Sequence, residues 1–469
     1  MKKIFYSFVF IILIITSFPF ISFISYFAYN PDLSEIVGLY NESKKKFIKK
    51  ILIPHKLVKQ QEEIIKSNHE TISQKEYLIR SLPKKNVSDE LSFQQKLKNF
   101  SNSKYYTLKL NENYILEKYQ GLDGFYYGIN NLFPGSGYLG FHQNKLVILS
   151  SRGILGYESK NEENILHFKQ IKNNINDFIG EKQFSKGNWF SLKDLLIHND
   201  QIYVSFTEEI KEDCWNTSLL NAKFNYENII FKKIFSPKKC VNASNNIDHE
   251  FNAHQSGGRI VLMENQNHII FTTGDYRNRF LAQDPQSVNG KVIKIKDDKN
   301  NFEIISMGHR NPQGLLFDIE NNFILSTEHG PYGGDEINLI RFDEKNIPNY
   351  GWPNASYGEH YGEKIQANKL KYRKYPLNKS HENYNFIEPL KYFVPSIGIS
   401  EIVKLDKKNY VVSSLKDKSL YFFKLNKNNK IDDFKKVYTH ERIRDLIFKN
   451  NYLYLFLEDT ASLGKIKIE

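Results

Sequence analysis

Cysteine is almost absent from this 469-residue chain: Cys214 and Cys240 are the only two. Two thiolates cannot complete a four-cysteine zinc site or an iron–sulfur cluster, so cysteine-rich metal centres are excluded. In an exported chain the pair can form one disulfide, closing a loop of about 25 residues for about 3 kcal/mol. Two unpaired cysteines are the alternative. Dense positive charge is also missing outside Lys44–Lys50, although 65 Lys and Arg outnumber 53 Asp and Glu for a formal net charge of +12. Lysines scattered among Asn and Ile favour solubility or an anionic surface over a nucleic-acid groove, so no nucleic-acid partner is expected. Disorder is excluded as well. Hydrophobic residues make up 40% of the chain and aromatics 14%, enough to fill a sizeable core.

Long apolar runs are missing too, with one exception. Lys2 and Lys3 precede Ile4–Tyr29, which carries no charge. A membrane span needs about 20 apolar residues, whereas a signal-peptide core needs about 7–15. Tyr26-Phe27-Ala28 puts a bulky residue where cleavage wants a small one. Residues 1–30 are therefore expected to be a transmembrane anchor, with the rest of the chain on the periplasmic or extracytoplasmic side. A cleaved signal peptide, its core ended by Ser17 and Pro19, is the rival. Residues 31–104 are rich in Lys, Glu, Gln and Ser. Gln60–Lys66 and Phe93–Phe100 read as helical, interrupted by Pro54 and Pro83, which predicts a helical stalk or a linker.

From residue 105 to 469 the texture changes to short strands. An apolar run recurs six times, at Lys145–Ser150, Gln201–Phe206, His268–Thr273, Asn322–Thr327, Asn409–Ser414 and Asn451–Phe456. Most are followed by another run, as at Ser218–Phe224, Lys291–Lys296, Glu336–Phe342, Ser419–Leu425 and Gly464–Ile468. Repetition at a step of roughly 60 residues predicts an all-β, six-bladed propeller of four-stranded blades with long inserts. A strand within Tyr105–Tyr119 could pair with the last blade and close the ring. A many-stranded β-sandwich is the alternative.

The polar residues have a shared position in this repeat. His254, Arg310, Arg442 and Arg444 all fall at or just ahead of a blade's first strand, which in a propeller lies innermost. Residues distant in sequence thus converge on one channel mouth. Each has a plainer reading. His254 could be a turn histidine, Gly308–Gly314 a simple loop, and Lys416 a surface lysine. Arg442-Ile443-Arg444 alternates, so both guanidinium groups share a face, as a solvated edge would also have it. Together the cations suit a polyanion with planar carboxylates. Glu328–Glu336 (EHGPYGGDE) is a Gly- and Pro-rich loop with free carbonyls and three carboxylates, which suits Ca²⁺ or is only a turn.

At these residues the sequence resembles the soluble glucose/sorbosone and aldose sugar dehydrogenases that use pyrroloquinoline quinone (PQQ). The matching runs are HQSGGRIVL from His254, TTGD ending at Asp275, GHRNPQGLLFD from Gly308, and TEHGPYGGDEINLIR from Thr327. NYGWP from Asn349, PSIGISEI from Pro395, SSLK ending at Lys416 and RIRDL from Arg442 continue the match. The resemblance implies that His254 is the general base for the C1 hydroxyl of an aldose, with Asp275 as its carboxylate partner. It implies that Arg310 stabilises developing charge while hydride passes to PQQ. Arg310, Asn311, Lys416, Arg442 and Arg444 would contact the cofactor, and the Gly330 and Pro331 carbonyls would hold its Ca²⁺. The product would be a lactone, and an unidentified acceptor would take the electrons. One segment departs from the family. Where the family has a Gln-x-Gly-Leu-Leu-like stretch, this chain has residues 188–194, so the Gln is replaced by Trp189, which could stack on the quinone, or is shifted to Gln183. A non-catalytic propeller binding a sugar or envelope partner is the alternative. A Ca²⁺-dependent propeller lactonase is a second rival, and it needs carboxylate and Asn ligands on the channel axis.

Overall fold

The structure, a computed structural model, describes residues 99–468 apart from 123–124, 126–135, 188, 264–267, 296–300, 343–345 and 362–371. The expected anchor, Ile4–Tyr29, and most of the expected stalk lie outside the described residues. Among the described residues, no helix is long and apolar enough to cross a membrane.

Six antiparallel sheets follow one another around a ring. Blade 1 contains Gly137–His142, Lys145–Ser150, Leu155–Glu162 and Ile165–Asn173, and blade 2 contains Leu192–His198, Gln201–Lys211, Cys214–Lys223 and Lys232–Phe235. Blade 3 contains Gly257–Met263, His268–Thr273, Lys291–Ile295 and Phe302–Met307. Blade 4 contains Pro312–Asp318, Phe323–Glu328, Asp335–Arg341 and Lys391–Phe393. Blade 5 contains Ile399–Lys404, Asn409–Ser414, Ser419–Leu425 and Ile431–Tyr438. Blade 6 takes only three strands from the end of the chain: Ile443–Lys449, Tyr452–Leu457 and Ser462–Lys467. Its fourth, Ile115–Gln120, comes from before blade 1 and brings Lys104–Lys109 with it as a hairpin. The ring is therefore closed by Tyr105–Tyr119, as expected, but by two strands and not one. The first strand of each blade packs against the first strand of the next, so these six strands line the axis.

The Phe93–Phe100 stretch, read as helical, ends instead in a strand. Asn99–Ser101 pairs with the outer strand of blade 1, with Phe100 opposite Phe168. Burial decides this: the two rings stack at 5.1 Å, and Gly156 leaves the room, since a Cβ there would meet the Phe100 ring at 2.6 Å. Phe100, Phe125, Phe168, Phe456 and Leu463 form one cluster spanning blades 1 and 6, so the ring closure is an apolar seal. Cys214 and Cys240 are joined as a disulfide, tying the third strand of blade 2 to a loop that leads toward His254.

Candidate active site

Loops entering the axial strands bring the expected residues together. His254, Arg310, Asn311, Gly330, Lys416, Arg442 and Arg444 line one cavity of about 390 Å³. Asp275, Trp189 and Pro331 do not line it. Asp275 and Pro331 are buried, and Trp189 is partly buried.

His254 sits in a short turn, Ala253–Gln255, capped by Asn252, whose side-chain oxygen accepts from the His254 amide at 2.8 Å. The imidazole itself makes no hydrogen bond among the described residues. The partnership expected with Asp275 is absent. Asp275 instead accepts from Trp352 Nε1 at 2.8 Å and from the Arg277 amide at 2.9 Å. The cause is local: Tyr276 and Arg277 both adopt left-handed backbone, φ 53° and 65°, and turn the chain right after Asp275. What orients His254 is Trp189, whose ring lies 5.8 Å away and edge-on at 88°. Trp189 thus packs on the base and does not face the cavity, and Gln183 is no substitute contact, because its side chain accepts from the Gly180 amide.

Burial, then Lys193, Arg444, Arg277 and His329, push the His254 pKa down to about 3. The ring is therefore neutral throughout the physiological range, and it is only weakly basic until negative charge enters the cavity to offset the cations. A histidine depressed in the fold releases stability as pH falls from its unfolded value through its folded one. The His254 ring resonances in the ligand-free protein should thus stay in the neutral form from pH 8 to about pH 4, checked by NMR titration. Titration near the ordinary value of roughly 6.5 would contradict the packing described here.

Opposite charges set the rest. Arg442 Nε and Arg444 Nη2 both bond the buried Glu458, at 2.9 and 2.8 Å, so the two guanidinium groups do share a face. Glu458 escaped the sequence reading because nothing in its spacing links it to either arginine. Lys416 is exposed and has no polar partner among the described residues. Arg310 donates to the His329 carbonyl at 3.0 Å, and its guanidinium lies over Trp352 at 5.4 Å. Two buried polar atoms of residues lining this cavity, Ser396 Oγ and His329 Nε2, have no hydrogen-bond partner among the described residues. Cations with orphaned donors fit a polyanionic ligand with several oxygens.

The loop after His329 fits a hard cation. A Cβ on Gly330 would lie 1.9 Å from the Gly334 carbonyl, and Gly333 and Gly334 have φ of 83° and 75°, so the loop closes only with glycine. Among the described residues, neither the Gly330 nor the Pro331 carbonyl accepts a hydrogen bond, which leaves both for Ca²⁺. Among the described residues, the axial strands offer no second metal site of that kind. Asp194, Glu401 and Asp445 converge there, yet Arg259 Nη1 fills their centre at 2.9, 2.8 and 2.7 Å. The axial ligand set that a propeller lactonase needs is thereby taken up by an arginine.

The chain matches the family model described as Glucose / Sorbosone dehydrogenase over residues 191–466. An aldose sugar dehydrogenase of Escherichia coli is 29% identical over 229 residues, which are 44% of this chain and 57% of that relative. The chain thus spans little more than half the length of that curated relative. Among solved structures, the apo-form of the soluble aldose sugar dehydrogenase from Escherichia coli superposes with a TM-score of 0.58 at 21% identity, over 76% of this chain and 100% of the other. The PQQ-bound aldose sugar dehydrogenase of Streptomyces coelicolor gives 0.53 at 16% identity, over 76% and 99%.

Proposed function

The chain belongs to the glucose/sorbosone dehydrogenase family, and on that premise we propose that it oxidises the C1 hydroxyl of an aldose to a lactone with PQQ and Ca²⁺. The observation that carries this reading is the shared cavity: a neutral histidine beside Arg310, Lys416, Arg442 and Arg444, the last two sharing the single carboxylate of Glu458, with Gly330 at the start of a loop whose first two carbonyls are free among the described residues. PQQ, when bound with Ca²⁺, supplies a two-electron acceptor for the hydride leaving C1. His254 takes the hydroxyl proton, and Trp189 holds its ring in place for that transfer. Arg310, kept rigid by the His329 carbonyl and the Trp352 face, stabilises negative charge that develops beside it. Lys416, Arg442 and Arg444 grip carboxylates, with Glu458 fixing the two guanidinium groups in advance. Gly330 and Pro331 hold the metal through their carbonyls. An external acceptor, unidentified, takes the electrons. The disulfide supports a site outside the cytoplasm, tethered through Ile4–Tyr29.

A PQQ titration followed by fluorescence quenching, with and without Ca²⁺, tests this. Saturable binding that needs Ca²⁺ is expected. Arg442→Ala should weaken it by tens- to thousands-fold, because a carboxylate left unpaired in the cavity costs about 2–5 kcal/mol. A parent protein that binds no PQQ overturns the proposal.

A further inference from the structure

The proposed cofactor role uses Arg310, Lys416, Arg442 and Arg444; of the three further cations lining the same cavity, Arg259 is taken up by Asp194, Glu401 and Asp445, which leaves Lys193 and Arg277. Lys193 lies on the first strand of blade 2, 7% exposed, and its ammonium donates to the carbonyls of Trp189 at 2.9 Å and Ala253 at 3.4 Å. Arg277 faces the cavity from the other side of the turn. The Gln255 amide is assigned with its nitrogen donating to Asp275 at 3.0 Å, so its oxygen accepts from Arg310 at 2.9 Å and from Arg277 Nε at 3.1 Å. The two cations therefore hold the residues immediately before and after His254. Neither has a carboxylate partner among the described residues. Arg277 is delivered at a conformational cost, since it and Tyr276 are successive non-glycine residues in the left-handed region. Tyr276 is locked there by its hydroxyl contact to Thr217 at 2.8 Å.

We propose that Lys193 and Arg277 form a carboxylate subsite beside the base, so that the substrate is an acidic sugar of the hexuronic acid class. This rests on the dehydrogenase reading for the role of His254, because the group His254 touches is the sugar and not the cofactor's acidic rim. A buried lysine without a counterion is held in reserve for a negative ligand: burial, Arg444 and Arg152 push its pKa down to about 7, and a carboxylate beside it restores the charge. Arg277, stacked at 5.8 Å on the exposed Tyr361, offers a planar fork suited to the same carboxylate. A carboxylate of the cofactor is the other source of that chemistry.

The test compares D-glucuronate with D-glucose on protein loaded with PQQ and Ca²⁺, so that Lys416, Arg442 and Arg444 are engaged. Binding is read by saturation-transfer NMR and oxidation by kcat/KM. Glucuronate should be favoured roughly tenfold or more in both readouts. Arg277→Gln should bring both ratios near one, and Arg277→Lys, which keeps the charge but loses the planar fork, should keep only part of the preference. Glucose bound and oxidised as well as glucuronate overturns the proposal. So does an Arg277→Gln variant that loses PQQ affinity, by fluorescence titration, with the sugar ratios unmoved, for then the cations serve the cofactor. A loaded protein that oxidises neither sugar, yet binds glucuronate preferentially and loses that preference in Arg277→Gln, keeps the subsite and discards the dehydrogenase reading.

Discussion

His254→Ala is expected to lower aldose oxidation by about 10²–10⁴-fold at saturating PQQ while shifting PQQ affinity little. The residue is a neutral imidazole with no side-chain hydrogen bond among the described residues, set among the cavity's cations, and a C1 hydroxyl cannot release hydride efficiently until its proton is taken. The cofactor's proposed anchors, Lys416, Arg442 and Arg444, belong to blades 5 and 6, whereas His254 precedes blade 3. The two functions should therefore separate by mutation. Fluorescence titration of PQQ followed by turnover on the same sample checks this. Near-normal turnover in His254→Ala would mean that another group takes the proton.

The largest expected stability loss is at a residue with no proposed chemistry. Arg259 reaches the axial strands of four other blades: it pairs with Asp194, Glu401 and Asp445 and donates to the Gln313 carbonyl at 2.6 Å. Asp445 in turn accepts from the Leu139 amide at 2.7 Å, which adds blade 1. One side chain thus links all six blades, and the network is buried. Arg259→Met should cost at least about 3–5 kcal/mol, because removing one partner leaves charges buried without compensation. Burial already pushes the Asp194 and Glu401 carboxyls up despite Arg259. A carboxyl whose folded pKa is raised stabilises the fold below its unfolded pKa and loses that contribution as pH rises through the folded value. The Arg259→Met deficit, measured by urea unfolding, should therefore be smaller at pH 5 than at pH 8. Equal deficits at both pH values would show that packing of the aliphatic stem, and not charge, explains the loss.

The propeller was legible because each blade's second strand is a β-branched or aromatic run bounded by Asn, Lys or Gly. Five of the six expected runs lie within a residue of an observed strand, and the run from Gln201 continues to Lys211. The fourth strand of blade 4, Lys391–Phe393, was not legible. It is three residues long and follows a long insert, so no local pattern sets it apart. Arg442 and Arg444 could be placed because a strand's period of two puts them on one face. The hub could not, although Arg259 stands inside a recognisable motif, because its partner carboxylates lie up to 186 residues away in sequence. Lys193 was passed over for a similar reason: it stands next to Asp194 in a short strand, where a lysine beside a carboxylate reads as facing solvent. The pairing of Asp275 with His254 failed on two backbone angles. Nothing in the letters Tyr276-Arg277 announces a left-handed turn, and that turn hands the carboxylate to Trp352.

Anaerobic titration of the PQQ- and Ca²⁺-loaded protein with an aldose or uronic acid, watching the bound cofactor's absorption, tests the dehydrogenase reading most directly. The expected result is bleaching of the oxidised band by one equivalent of sugar, one lactone formed per cofactor, and recovery on adding an artificial two-electron acceptor. A protein that binds PQQ yet shows no bleaching with any aldose or uronic acid would contradict it and leave a propeller that binds without oxidising.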